Sequence, residues 1–179
     1  IADANAGLRT LDLSDPANPV PLGAFDAGGG ATAVAIDGAI AYLGDAEDGL
    51  FILDVSDPAH PTALAQNPEL SYVSAVAASG GAVYAARGAG GQHPNGLWIF
   101  DATDPKDPAF LGRLDYGWDF DGRITAISIA GHYACILRGN TFAIVDASNP
   151  ASPVEVGSYT IPSAEGLAVQ GDVAYVAFG

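Results

Sequence analysis

The densest group of side chains able to do chemistry is Asp115-Tyr-Gly-Trp-Asp-Phe-Asp-Gly-Arg123, with three aspartates and three aromatics in nine residues. Carboxylates this close together are hard oxygen ligands of the kind Ca2+ takes. Their spacing is not that of the helix-flanked calcium loop, and no glutamate closes the set. Asp115, Asp119 and Asp121 are therefore a Ca2+ candidate without the standard pattern, and no other cofactor is expected. Tyr and Trp are also the side chains that most often anchor a partner. Asp115, Tyr116, Trp118, Asp119, Phe120, Asp121 and Arg123 are accordingly candidate partner contacts; alternatively, the aromatics only pack over their own sheet. His93, in the Gly-rich stretch Arg87 to Asn95, joins them as a candidate contact. With no second His or Cys beside it, it is a poor metal ligand. Asp45-Ala-Glu-Asp48 reads as a solvated acidic tip. Cys135 is the single cysteine and has no base near it in sequence, so nucleophilic catalysis has no support. No Ser-His-Asp order, phosphate loop or zinc signature appears.

Composition narrows the partners. The chain has 179 residues and a formal charge of −15, from 21 acidic and 6 basic side chains. Phosphate backbones and anionic membrane surfaces need clustered Lys and Arg, so both are excluded as partners. The acidity favours solubility and, more weakly, divalent cations or basic partners. Apolar residues make up 49% of the chain, ample for a core. Gly, Pro or Asp interrupts every apolar run before it reaches membrane-spanning length, so no membrane insertion is expected. An acidic segment follows Ile1 and an apolar strand precedes Gly179; both ends read as cut.

An internal repeat sets the elements that must carry these side chains. Gly7-Leu-Arg-Thr-Leu-Asp-Leu-Ser-Asp-Pro-Ala-Asn-Pro19 returns at 49–61, 96–108 and 141–153. Its central aspartates, Asp12, Asp54, Asp101 and Asp146, are 42, 47 and 45 residues apart. A second motif, Val34-Ala-Ile-Asp-Gly-Ala-Ile-Ala-Tyr42, alternates with the first, ending again at Tyr84, Cys135 and Tyr175. Asp-Gly between apolar runs signals a hairpin, and Ser-Asp-Pro a tight turn. A Pro at the head of the last strand fits an edge. Each unit then holds four short antiparallel strands in roughly 45 residues, which is one propeller blade. Ala31 to Asp37 is apolar on both faces, as a strand between stacked sheets should be. A β-sandwich would not repeat the same turn at a fixed period.

The expected fold is an all-β propeller of about four blade-equivalents. Residues 7–25 supply the third and fourth strands of one blade. Full blades follow at 31–66, 72–113 and 124–159, and residues 164–178 supply the first and second strands of another. The chain is either a closed four-bladed ring or, as the ends favour, an excerpt from a larger one. An excerpt would expose apolar end faces and should associate or close on itself.

The signature Gly-Leu-x-Ile-x-Asp-Val-Ser-Asp-Pro-x-x-Pro, clearest at 49–61, resembles the LVIVD-repeat family of bacterial and archaeal propellers. The preceding Val-Ala-Ile-Asp-Gly-x-x-Ala-Tyr segment shares the resemblance. Thr141 and Asn149 depart from it without threatening the turn. The resemblance implies an exported or cell-surface protein, extracellular or periplasmic, with adhesive or scaffolding use. It carries no catalytic residue.

Propeller geometry puts the near-invariant turns on one face and the variable ones on the other. Asp15, Asp57 and Asp104 read as turn-formers, and the four central aspartates as backbone hydrogen-bonders. Variable loops on a rigid scaffold are where function usually sits. The expected function is a non-catalytic interaction or scaffolding element with a protein partner or self-assembly. The alternative is an enzyme or metal-dependent site at the channel mouth, near Thr32, Ser74, Thr125 and Ser163, with Arg123 and Glu165 beside them.

Overall fold

The computed structural model describes residues 1–88, 94–118 and 122–178. Strands β1 (Ala2–Asp3), β2 (Gly7–Asp12) and β3 (Val20–Phe25) form a three-stranded sheet. Three four-stranded antiparallel meanders follow. They are β4 (Ala31–Asp37) to β7 (Thr62–Asn67), β8 (Val73–Ser79) to β11 (Ala109–Gly117), and β12 (Ile124–Ala130) to β15 (Val154–Thr160). Their middle strands are β5 (Ile40–Asp45) and β6 (Gly49–Asp54), β9 (Ala82–Arg87) and β10 (Asn95–Asp101), and β13 (Tyr133–Arg138) and β14 (Thr141–Asp146). A pair, β16 (Ala164–Gln170) and β17 (Val173–Phe178), ends the order as a separate sheet. The first strands pack in sequence, β4 on β8, β8 on β12 and β12 on β16, so they are innermost. This is an open arc of propeller blades.

Local chemistry accounts for the turns. Gly38 takes φ 59 between β4 and β5, a region glycine enters without cost. At the far end of each third strand, one carboxylate folds the chain over. Asp12, Asp54, Asp101 and Asp146 accept the amides of Ser14, Ser56, Thr103 and Ser148 at 2.8 to 2.9 Å. Asp15, Asp57 and Asp104 do the same for Ala17, Ala59 and Lys106 at 3.0 Å.

Packing is two-sided. On β6, Phe51 and Leu53 join Leu8, Ala41 and Leu43 toward the preceding sheet. Leu50 and Ile52 join Val83, Trp98 and Phe100 toward the following one. Leu97 and Ile99 repeat the arrangement with Ile136, Ala143 and Val145. Alternation along a strand thus divides each sheet between two cores.

Bulges recur in register. Every inner hairpin skips one residue, at Thr32, Ser74, Thr125 and Glu165, and every outer hairpin skips Leu22, Leu64, Leu111 or Val156. A bulge re-aims a side chain. Here Thr32 Oγ1 donates to Val73 O and Ser74 Oγ to Ile124 O, both at 2.7 Å, stitching each inner strand to the next. Beside the outer bulges lie Gly23 and Gly112, against the Pro58-Ala59 and Pro150-Ala151 turns of the following blades. A Cβ at either glycine would overlap a backbone carbonyl oxygen.

The opening residues depart from expectation. Ala2–Asp3 is the end of a second strand, paired as Ala2↔Leu8 and Asp3↔Gly7. Ala2-Asp-Ala-Asn-Ala-Gly-Leu8 runs parallel to Gly44-Asp-Ala-Glu-Asp-Gly-Leu50, a likeness that the acidic composition hid.

Two predictions follow from the turns and the bulges. Asp12 and Asp146 are held below the usual carboxylate range chiefly by the amides of Ser14 and Ser148. For Asp54 and Asp101, the hydroxyls of Ser56 and Thr103 act first. A carboxyl with a lowered folded pKa binds fewer protons when folded. Its stabilisation is present above the unfolded value of about 3.9 and lost as pH falls through the folded one. Melting temperature should therefore drop between about pH 5 and pH 2; a constant value across that window would contradict this origin. Separately, Gly112→Ala should cost about 2 kcal/mol in urea unfolding, because the Pro150 carbonyl must move; a loss under about 0.5 kcal/mol would show the contact to be slack.

Candidate functional site

Main-chain bonds set the variable face. Gly30 N donates to Ala4 O and Tyr72 N to Ala46 O, each at 2.8 Å, tying the residue before an inner strand to the preceding sheet. Ala46 N donates to Gly30 O, Gly88 N to Tyr72 O and Gly139 N to Arg123 O within their own sheets. Gly30 meets this geometry with φ 82. Tyr72 meets it with φ 66, a left-handed conformation costing on the order of 1 kcal/mol for a side chain of this kind. Its ring is half exposed.

The rim of the β8–β11 blade can be read outward from Tyr72. Register places Val73 opposite Arg87, Arg87 opposite Gly96 and Gly96 opposite Asp115. Arg87 is buried, and desolvation pushes its guanidinium pKa down. Asn95, next to it, is buried too. Asp115 pairs with Arg113 at 3.2 Å, and Arg113 lies over the Trp98 ring at 5.2 Å. Trp118 ends the row, 61% exposed.

The candidate residues therefore separate. Tyr116 is partly buried: Arg138 of the next blade covers its ring at 4.5 Å and reaches Glu155 at 3.2 Å. Burial first, then Glu155, pushes the Tyr116 phenol well above its ordinary value. It is an inter-blade latch rather than a surface anchor. Asp115 is engaged by a cation, and Arg123 is exposed at the start of the neighbouring blade. His93, Asp119, Phe120 and Asp121 lie outside the described residues. Among the described residues no three His, Cys, Asp or Glu side chains gather to hold a metal.

Other expectations are corrected by the packing. Asp45 is buried, not solvated, and its Oδ1 accepts the Glu47 and Asp48 amides at 2.8 and 2.9 Å. Of the channel-mouth group, Thr32 and Ser74 spend their protons on carbonyls of the next strand. Glu165, not Ser163, occupies the fourth bulge slot; Ser163 sits before it at φ 56 and donates its amide to Asn140 Oδ1. Cys135 is buried, as its strand-interior slot implies, and burial pushes its thiol up. Tyr72 and Arg87 went unnoticed in the sequence. The available signal was a break in the repeat at Tyr72, in the Gly30 slot; the Asp45 slot holds Arg in both later full blades, at Arg87 and Arg138.

The latch and the free aromatic should respond differently to truncation. Tyr116→Ala is expected to lower stability by about 2 kcal/mol through lost inter-blade packing. Trp118→Ala should stay within about 0.5 kcal/mol. Equal losses in chemical unfolding would refute the separation.

Comparison with known proteins agrees with this architecture. A protein from Lactobacillus plantarum superposes with a TM-score of 0.73 at 14% identity, over 98% of this chain and 57% of that one. The computationally designed Ika8 protein gives 0.71 at 13% identity, over 99% and 51%. Myxococcus xanthus glutaminyl cyclase gives 0.55 at 19% identity, over 95% and 76%. These likenesses establish the fold alone. The chain spans about half the length of Ika8. No curated protein sequence matches. The LVIVD repeat profile matches residues 1–27, 28–66, 121–161 and 163–179, while the intervening β8–β11 segment still folds as a full blade. With most of its length matched in phase with its sheets, the chain belongs to the LVIVD-repeat family.

Proposed function

We propose that the chain is a non-catalytic interaction scaffold of an exported or cell-surface protein, holding a protein partner on the loop face of the β8–β11 blade. One observation carries this reading. Tyr72 and Trp118, 50% and 61% exposed, flank a single rim whose middle is the buried Arg87. Exposed Tyr and Trp are the side chains most enriched at binding hot spots, and here the buried Arg87 lies between them as part of their support. In the Tyr72 slot the β4–β7 blade carries Gly30 and the β12–β15 blade Arg123, neither of them aromatic.

The scaffold beneath is rigid. Tyr72 is fixed on both sides by main-chain bonds, so little entropy is lost when a partner covers it. A charge of −15 steers neutral or basic partners toward the surface and repels acidic ones. The inner hydroxyls of Thr32 and Ser74 are committed to inter-blade bonds, which supports a structural use of the channel wall.

The test starts from peptides selected against the wild-type protein from a random display library. Tyr72→Ala combined with Trp118→Ala should weaken the selected binders at least tenfold, or about 1.4 kcal/mol, with the melting temperature unchanged. Lys106→Ala, in an invariant-face turn, should not weaken them. Binding that survives the double substitution sinks the proposal.

A further inference from the structure

At the rim of the β4–β7 blade a buried carboxylate has only one of its oxygens answered. Asp45 is 0% exposed, and the atoms that cover it all belong to this chain. Its Oδ1 accepts the Glu47 and Asp48 amides at 2.8 and 2.9 Å. Its Oδ2 is equally shut off from solvent and meets no hydrogen-bond donor. Among the described residues no Arg, Lys or His pairs with it. A carboxylate taken out of water without a counter-charge is strongly disfavoured.

The repeat supplies an internal comparison. Asp3 is the counterpart of Asp45, each pairing with the glycine that opens its third strand. Asp3 Oδ1 accepts the Asn5 amide at 3.0 Å, as Asp45 Oδ1 accepts its turn amides. Asp3 Oδ2, however, holds the guanidinium of Arg9. The residue in the Arg9 position of the β4–β7 blade is Phe51, which brings no charge. In the next two blades the slot itself is cationic, at Arg87 and Arg138. This corner therefore carries a positive charge in every blade where it is described except the one with Asp45.

Bare main chain passes this carboxylate. A Cβ built on Gly30 would lie 2.9 Å from Asp45 Oδ1 and 3.3 Å from Oδ2. One built on Gly28 would lie 3.3 Å from Asp48 Oδ2. The Gly28-Gly-Gly30 segment, at φ 85, 111 and 82, thus runs beside both carboxylates. We propose that Asp45 Oδ2 and the Asp48 carboxylate bind a Ca2+ ion here, with main-chain oxygens of Gly28–Gly30 and water as the remaining ligands. Two carboxylates balance the charge of a divalent ion. An irregular loop offering main-chain oxygens suits Ca2+ better than Mg2+, which demands near-ideal octahedral geometry. No third acidic side chain joins the pair, so affinity belongs in the weak range of extracellular modules, about 0.1 to 1 mM. Gly30 N donates to Ala4 O, and Gly30 O accepts Ala46 N. The ion therefore clamps the crossing from the first sheet into the β4–β7 blade. This site does not rest on the loop-face reading.

Thermal melts of the 179-residue chain in EDTA and in CaCl2 up to about 10 mM test the site. The wild-type melting temperature is expected to rise by about 5 °C across that range. MgCl2 at the same concentration should shift it much less. Asp45→Asn and Asp48→Asn should each cut the Ca2+ response about threefold or more. Asp107→Asn, which alters an exposed carboxylate in a turn of the opposite face, should keep the response. If Asp45→Asn does not fold, Asp48→Asn decides alone. A wild type indifferent to Ca2+ overturns the proposal. So does a rise that the Asn variants retain or that Mg2+ matches, since that is screening of the −15 charge. Peptide binding at Tyr72 and Trp118 stands or falls separately.

Discussion

The three four-stranded sheets are apolar on both faces, and that constraint governs the rest. A two-sided sheet cannot bury its core alone, because half of each strand's side chains would stay in water. Stability in such arrays comes from neighbour interfaces. The contrast along the chain is direct: Ile52 and Ile99 are buried between complete sheets, while the β16–β17 pair at the end of the order is largely exposed. Hydrogen bonds reinforce the same interfaces. Thr32 and Ser74 bridge inner strands, Thr10 Oγ1 reaches Pro58 O at 2.5 Å, and Asp37 accepts the Gly81 amide at 3.1 Å. Each bond joins consecutive blades, so polar and apolar forces reinforce the same stacking.

This division of labour frees one face. The aspartates of the Ser-Asp-Pro turns are consumed in folding the chain back, and substituting one for chemistry would cost the turn. The lowered pKa values of Asp12, Asp54, Asp101 and Asp146, at the head of the same turns, express that structural use, since the charged form is the one the amides bind. The opposite rim needs only the main-chain braces through Tyr72, Ala46 and Gly88. Side chains there are free to diverge: Gly30, Tyr72 and Arg123 stand before successive inner strands, and Asp45, Arg87 and Arg138 pair with the first residue of each.

The blades were legible because their signals are local. Asp54 followed by Ser56-Asp57-Pro58 specifies a turn whatever surrounds it, and apolar runs bounded by Asp-Gly specify strands. The bulges were not legible. Thr32 and Leu111 look like ordinary strand residues, and they are skipped because the sheets must twist and stack on neighbours far away in sequence. The candidate site was half legible for a related reason. Asp115 to Arg123 stood out by composition, yet composition cannot tell Tyr116, latched beneath Arg138, from Trp118 in the open. Asp45 misled for the converse reason, a carboxylate in an acidic stretch whose turn amides draw it inside.

The amino-acid sequence by itself determined the strands, the turns, the period and the family, because each depends on a residue's own backbone preferences and those of near neighbours. The tertiary structure alone decided which side of each strand faces which neighbour, and so which aromatic is free. It also showed that the hydroxyls of the inner strands are structural and that Ala2–Asp3 completes an edge. The physical reason is one of range. Conformational preference acts within a few residues, whereas the burial of a two-sided sheet is set by sheets about 45 residues away in either direction.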